Sequence, residues 1–155
     1  MLKRNGYATE VQSAGEAGRV DRLAVTLADD YRERPQRLYL SLASDAQAAR
    51  QEQGEAPADT ATPYDEIDFL QFYCQLPFRP QPESRPALAQ YLHTLNRQLP
   101  LPGFGLKEEA VFFRYLLVTA GDEIPDRLLY ETVTLIEFIL KRTLAGIEQR
   151  ASASG

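Results

Sequence analysis

The sequence predicts an α+β fold, an antiparallel sheet of about five strands with two helices, in the order strand, strand, strand, helix, strand, strand, helix. Three observations predict it. Several stretches alternate apolar and polar residues with a period of two, which is the mark of half-buried strands. Two others repeat apolar residues at three and four positions, as helices that bury one stripe do. The connections at Asp29–Arg32 and Glu108–Glu109 are short and polar, as antiparallel hairpins require.

The most strand-prone run is Ala110–Thr119, Ala-Val-Phe-Phe-Arg-Tyr-Leu-Leu-Val-Thr. Alternation places Val111, Phe113, Tyr115 and Leu117 on one face and Phe112, Leu116 and Val118 on the other, interrupted by Arg114. A strand apolar on both sides needs cover on both sides, so a helix is expected on one face and a second copy of the chain on the other.

In chain order, residues 1–18 show no helical period and are expected to be loose, although Tyr7–Gln12 suits a short edge strand. A single domain is expected over 19–150. From Val20 the chain alternates, with Leu23, Val25 and Leu27 against Arg22, Ala24 and Thr26; Arg37–Ala43 follows, with Leu38, Leu40 and Leu42 against Tyr39 and Ser41. Residues 44–63 hold almost no large apolar side chain and are expected to form a mobile surface loop, helical at most for a turn or two over Asp45–Gln53. A third strand spans Ile67–Leu76 with Leu70, Phe72, Cys74 and Leu76 inward, and the break in alternation at Phe69–Leu70 predicts a bulge.

Pro77, Pro80 and Pro82 end that strand, and Ser84 with Pro86 signals a helix start. The helix runs over Arg85–Gln98 on the stripe Leu88, Tyr91, Leu92, Leu95 and Leu99, until Pro100 and Pro102 stop it. Gly103-Phe104-Gly105-Leu106 opens a strand that turns into Ala110–Thr119, with Gly121 closing the hairpin. The last helix, Pro125–Arg150, carries Leu129, Val133, Ile136, Leu140, Leu144 and Ile147 on one stripe. Leu128, Leu135 and Ile139 widen it to about half the circumference, which predicts a further contact, most simply a dimer seam. Residues 151–155 read as a tail.

Composition bounds the function. With 155 residues, 44% of them hydrophobic, the chain has room for one real core. A formal net charge of −5 with scattered basic residues argues against a nucleic-acid partner or an acidic membrane surface. The single cysteine, Cys74, leaves no intrachain disulfide and fits a reducing compartment, so a cytoplasmic protein is expected. No apolar run reaches the roughly 20 residues of a membrane helix, and Met1–Gly6 has no apolar segment behind its basic residues to make a leader.

The order of elements, with Gln75-Leu76-Pro77-Phe78, Tyr91-Leu92-His93-Thr94-Leu95-Asn96, Gly103-Phe104-Gly105-Leu106 and Val111-Phe112-Phe113-Arg114-Tyr115, resembles the YbjN family of bacterial proteins, most strongly over Phe69–Ile147. The resemblance implies the fold of the class I type III secretion chaperones. It further implies a regulatory or chaperone-like module, often homodimeric, that binds another polypeptide and catalyses nothing. Family members usually carry a helix ahead of their first strand, and residues 1–18 show none.

No catalytic set stands out. His93 falls on the solvent side of its helix, and one histidine builds neither a His-rich metal site nor, without placed partners, a triad. Cys74 faces inward as a small hydrophobe. The pairs Asp65 with Asp68, Glu108 with Glu109, and Asp122 with Glu123 read as solvated charge at a strand start, a hairpin turn and a helix N-terminus. Gly103-Phe104-Gly105 lacks the third glycine and the strand-then-helix setting of a phosphate loop. Asn96 reads as a helix-end amide serving the Leu-Pro-Leu-Pro-Gly turn, and Arg114 as a cation paired with Glu123 or Asp126.

The expectation is therefore a non-enzymatic interaction module with no cofactor and an unknown protein client. Its candidate interface residues are Phe112, Arg114, Leu116, Val118, Leu128, Leu135 and Ile139. The competing expectation is a small-ligand or carboxylate-based enzyme domain. Two facing acids in a closed pocket would favour that alternative, and an exposed apolar sheet face the first.

Overall fold

The computed structural model describes residues 1–12, 22–44, 68–119 and 123–153. Its elements are β1 (Ala8–Gln12), β2 (Arg22–Leu27), β3 (Gln36–Ser44), β4 (Asp68–Gln75), α1 (Arg85–Asn96), β5 (Phe104–Lys107), β6 (Ala110–Val118) and α2 (Asp126–Ser152). The six strands make one sheet in the order β1-β2-β3-β4-β6-β5, antiparallel at every pairing. The fold class is the expected one, with a sixth strand from the Tyr7–Gln12 segment. The run Ala110–Val118 is paired on both sides, by β4 and β5, yet lies next to the sheet edge; the midpoint falls between β3 and β4.

Register fixes the two faces, because residues directly opposite across a ladder share a face. Val25 opposes Leu38, Leu40 opposes Phe72, Cys74 opposes Phe113 and Phe113 opposes Phe104. These side chains form one buried cluster with Leu88 and Leu92 of α1 and Val133, Ile136, Leu140, Leu144 and Ile147 of α2. Both helices therefore cover the same, inner face. Gly103 and Gly105 allow β5 to pack closely against β6. A Cβ on Gly103 would strike the Arg114 carbonyl and the Phe113 ring, and one on Gly105 the Phe112 ring.

Several expectations are corrected. The first residues are not loose: Leu2–Asn5 form a 3-10 turn closed by Gly6 at φ 91°, and Leu2 is buried in the core. No bulge interrupts β4, whose register with β6 runs unbroken from Phe69 to Gln75. Phe69 instead points outward with Gln71 and Tyr73. Ala24 keeps the face expected for it, with Arg22 and Thr26, yet is buried between its cross-strand neighbours Glu10 and Tyr39. Leu42 shares the face of Leu38 and Leu40 but is 60% exposed.

Ser84 precedes α1 without capping it. Its hydroxyl donates to the carbonyls of Gln81 and Ala151. Ala151 is fully buried and belongs to α2, so the tail starts later than expected. Part of the extra width of the α2 stripe is used inside the chain, at Ile139 and Leu135. Ile139, Thr143, Gly146 and Arg150 recur along one flank, where Ile139 is buried, Gly146 lies against the Tyr91 hydroxyl and Arg150 stacks on the Tyr91 ring at 4.3 Å. The Thr143 hydroxyl, buried on that flank, donates to the Ile139 carbonyl. Apart from Ser44, the end of β3, the expected 44–63 loop lies outside the described residues, as do Asp65, Gly121 and Asp122.

Candidate interaction surface

The second face of the sheet carries the other half of each strand's alternation. Across it runs a row in which Glu10 opposes Ala24, Ala24 opposes Tyr39, Tyr39 opposes Tyr73 and Tyr73 opposes Arg114. A neighbouring row runs Gln12, Arg22, Ser41, Gln71, Leu116, and Phe69 opposes Val118 beyond it. None of Tyr39, Phe69, Tyr73, Phe112, Leu116 or Val118 joins the buried cluster or packs against it. All are half-buried except Val118, which is 59% exposed.

Local contacts order these side chains. Tyr73 and Phe112 stack with centroids 5.8 Å apart and planes at 23°, a packing worth about 0.5–1.5 kcal/mol beyond burial. Arg22 donates from Nε to Gln12 Oε1 at 2.7 Å and lies 4.1 Å over the Tyr39 ring. Arg114 donates from Nε to Gln71 Oε1 at 2.9 Å, a partner that the sequence did not suggest. An aromatic floor with one arginine held over a ring and another held by a glutamine has the composition of a protein-binding surface.

Of the expected interface residues, Phe112, Arg114, Leu116 and Val118 share this face. Leu128 is exposed at the start of α2, on a different element, and Leu135 is half-buried against the core. Ile139 is only 2% exposed and offers no surface, because α2 turns it inward along the flank that meets α1.

Among the described residues, the expected carboxylates do not converge. Asp68 is exposed at the start of β4. Glu109 pairs with Arg79 in solvent, and Glu108 sits beside it in the hairpin turn at φ 52°. A shallow cleft of about 280 Å³ is lined by Met1, Leu2, Lys3, Thr9, Leu23, Asp126 and Leu129, and none of those acids reaches it. His93 is exposed. Burial pushes the Cys74 thiol up to about 12, so it carries no thiolate. Asn96 does what its position implied: its amide donates to the Phe104 carbonyl at 2.8 Å, and its oxygen accepts from the Gly103 and Phe104 N–H groups, tying α1 to β5.

Sequence reasoning missed two acids that anchor α2. Glu137 accepts from the Tyr7 hydroxyl at 2.8 Å and the Ala28 N–H at 2.7 Å, fastening the N-terminal segment. Glu148, buried on α2, takes a two-pronged bond from Arg34, at 3.1 and 2.7 Å, with further bonds from Tyr31 and Arg32. Asp30 accepts from Arg34 Nε at 2.6 Å and from the N–H groups of Arg32 and Arg34, shaping a turn in which Glu33 adopts φ 59°. The Arg34 guanidinium holds Glu148 below its ordinary range. At Asp30 burial works the other way, and the hydrogen bonds from Arg34 and Arg32 outweigh it. Both acids are thus fixed as anions with arginine, an arrangement that clamps structure and supplies no neutral acid or free base.

The model of a family described as YbjN, putative bacterial sensory transduction regulator, matches residues 59–146, more than half of the chain. The chain belongs to the YbjN family. No curated protein matches it. The YbjN span takes in β4, α1, β5, β6 and most of α2, and so includes Phe69, Tyr73, Phe112, Arg114, Leu116 and Val118. It excludes β1 to β3 and Glu148, which leaves Arg22, Tyr39 and the whole Asp30–Arg34–Glu148 clamp outside the matched span. Among the described residues, no helix of this YbjN chain is long and apolar enough to cross a membrane.

Proposed function

We propose that this chain is a non-enzymatic, regulatory protein-interaction module of the bacterial cytoplasm, chaperone-like in holding a client polypeptide, and that it works through the outer face of its sheet. The observation that carries the reading is the half-exposed aromatic and apolar set Tyr39, Phe69, Tyr73, Phe112, Leu116 and Val118 on a face that neither helix covers. Such contiguous surface is uncommon on a monomer without a partner. The family's description as a regulator supports a binding role over a catalytic one.

A second copy of the chain is a further partner under this reading. Val118 and Leu116 at the end of the outer face, with Leu128 at the start of α2, are apolar groups that a two-fold contact would remove from water. Sedimentation equilibrium at micromolar concentration is expected to give twice the 17.5 kDa chain mass. Val118→Glu is expected to shift it to the monomer, and to abolish capture of partner proteins identified by mass spectrometry. Phe138→Glu, which changes an equally exposed residue of α2, is expected to do neither. A monomeric wild-type chain would remove the self-pairing, and captured partners indifferent to Val118→Glu would remove the outer face.

A further inference from the structure

The outer face differs in charge from the rest of the molecule. The chain carries a formal charge of −5. Yet among the described strand residues the outward positions hold Arg22, Arg37, Lys107 and Arg114, against Glu10. Arg22, Arg37 and Lys107 are exposed. The partners of Arg22 are neutral, the Gln12 amide and the Tyr39 ring, so its orientation is fixed while its charge is left for a ligand.

We propose that the middle of this face binds an acidic, extended polypeptide segment in which two carboxylates four positions apart bracket an apolar residue. This rests on the outer-face reading above and names the chemistry of the partner. Arg22 lies opposite Ser41, and Arg37 is four residues back along β3 on the same face. The backbone positions of Ser41 and Arg37 are about 13 Å apart along a strand, and the Arg22 side chain reaches from beside Ser41 to the Tyr39 ring. An extended peptide laid along β3 repeats the same spacing, since its own residues i and i+4 point the same way about 13 Å apart. Each carboxylate then meets one guanidinium, a charge-assisted contact of fixed geometry. The residue midway falls at the level of Tyr39 and Tyr73, which face each other across the β3–β4 ladder, between the Arg22 guanidinium over the Tyr39 ring and the Phe112 ring stacked on Tyr73. Arg114, already engaged with Gln71, forms part of the floor.

Single-stranded nucleic acid fits this surface less well. Base stacking needs open ring faces, whereas Tyr73 and Phe112 cover one another and Arg22 lies over Tyr39. The overall negative charge also opposes a polyphosphate.

The test uses the full chain and a fluorescein-labelled peptide with two glutamates four positions apart and a valine midway. The comparison peptide has both glutamates replaced by glutamine. Fluorescence anisotropy at low salt is expected to show the glutamate peptide binding about tenfold or more tightly, with the difference largely erased near 0.5 M salt. Arg22→Gln and Arg37→Gln, both at exposed positions, are expected to weaken it about fivefold each while leaving thermal melting unchanged.

Equal affinity for the two peptides, or full affinity in the double arginine variant, would overturn the proposal. So would tighter binding of a labelled oligothymidylate, or loss of self-association in the arginine variant, which would make a second copy the occupant. If the glutamate peptide fails while partner capture still depends on Val118, the acidic partner is excluded and the outer-face reading stands. If capture is indifferent to Val118 as well, both fall.

Discussion

Phe113→Ala is expected to lower the free energy of unfolding by about 3–5 kcal/mol, the range for deleting a large aromatic side chain from a packed core. The ring is fully buried. It opposes Cys74 on one neighbouring strand and Phe104 on the other, meets the Phe104 ring edge-on at 5.1 Å, and lies over the site where Gly103 has no side chain. Removing it opens a cavity where β4, β5 and β6 meet, and the backbone contact at Gly103 leaves little room for collapse. His93→Ala, at an exposed position of α1, is expected to change stability by about 0.5 kcal/mol or less. Urea melts of the two variants check both values, and the reverse order would mean that the inner and outer faces are misassigned.

Glu148→Ala is expected to cost about 2–4 kcal/mol, because it strands the Arg34 guanidinium that Glu148 binds in two-pronged fashion and frees the turn at Asp30–Arg34 from α2. Breaking a fully buried pair costs about 3–5 kcal/mol. The Arg34 side chain is 25% exposed, so water recovers part of that loss.

The same clamp sets a pH dependence. The ordinary pKa values are 4.5 for Glu148 and 3.8 for Asp30, and the folded chain lowers both. A lowered carboxylate stabilises fully above its unfolded value, and that contribution is lost as pH falls through the folded value. Unfolding free energy is therefore expected to decline on acidification from about pH 4.5 downward, and Glu148→Gln to flatten part of that decline. An unchanged acid slope in Glu148→Gln would contradict the assignment of the clamp.

Much of the fold is legible because strand parity has a period of two. Leu38, Leu40, Phe72, Val111 and Phe113 are placed inward by alternation alone, and register makes Phe112, Arg114, Leu116 and Val118 outward together. What escapes has a physical reason in each case. Leu2 is buried by a single 3-10 turn, too short to show a period. Phe69 suggested a bulge because an aromatic residue out of phase looks misplaced, whereas the outer face is itself aromatic. Ile139 and its neighbours widen the α2 stripe for contact with α1, and a wheel drawn on one helix cannot distinguish that from contact with another chain. The Arg34–Glu148 pair joins residues 114 positions apart, so neither member carries a local signal. The candidate surface could be found on β6, but Tyr39, Tyr73 and Arg22 join it only through the register of β2, β3 and β4.

Site-specific photo-crosslinking in living bacterial cells tests the outer face most directly. A benzophenone side chain at Val118, 59% exposed on the sheet, is compared with the same group at Phe138, 57% exposed on α2, so that accessibility is matched and only the face differs. Defined protein adducts from position 118 and none from position 138 are expected. Adducts formed equally from both positions, or only from position 138, would contradict the outer face as the working surface.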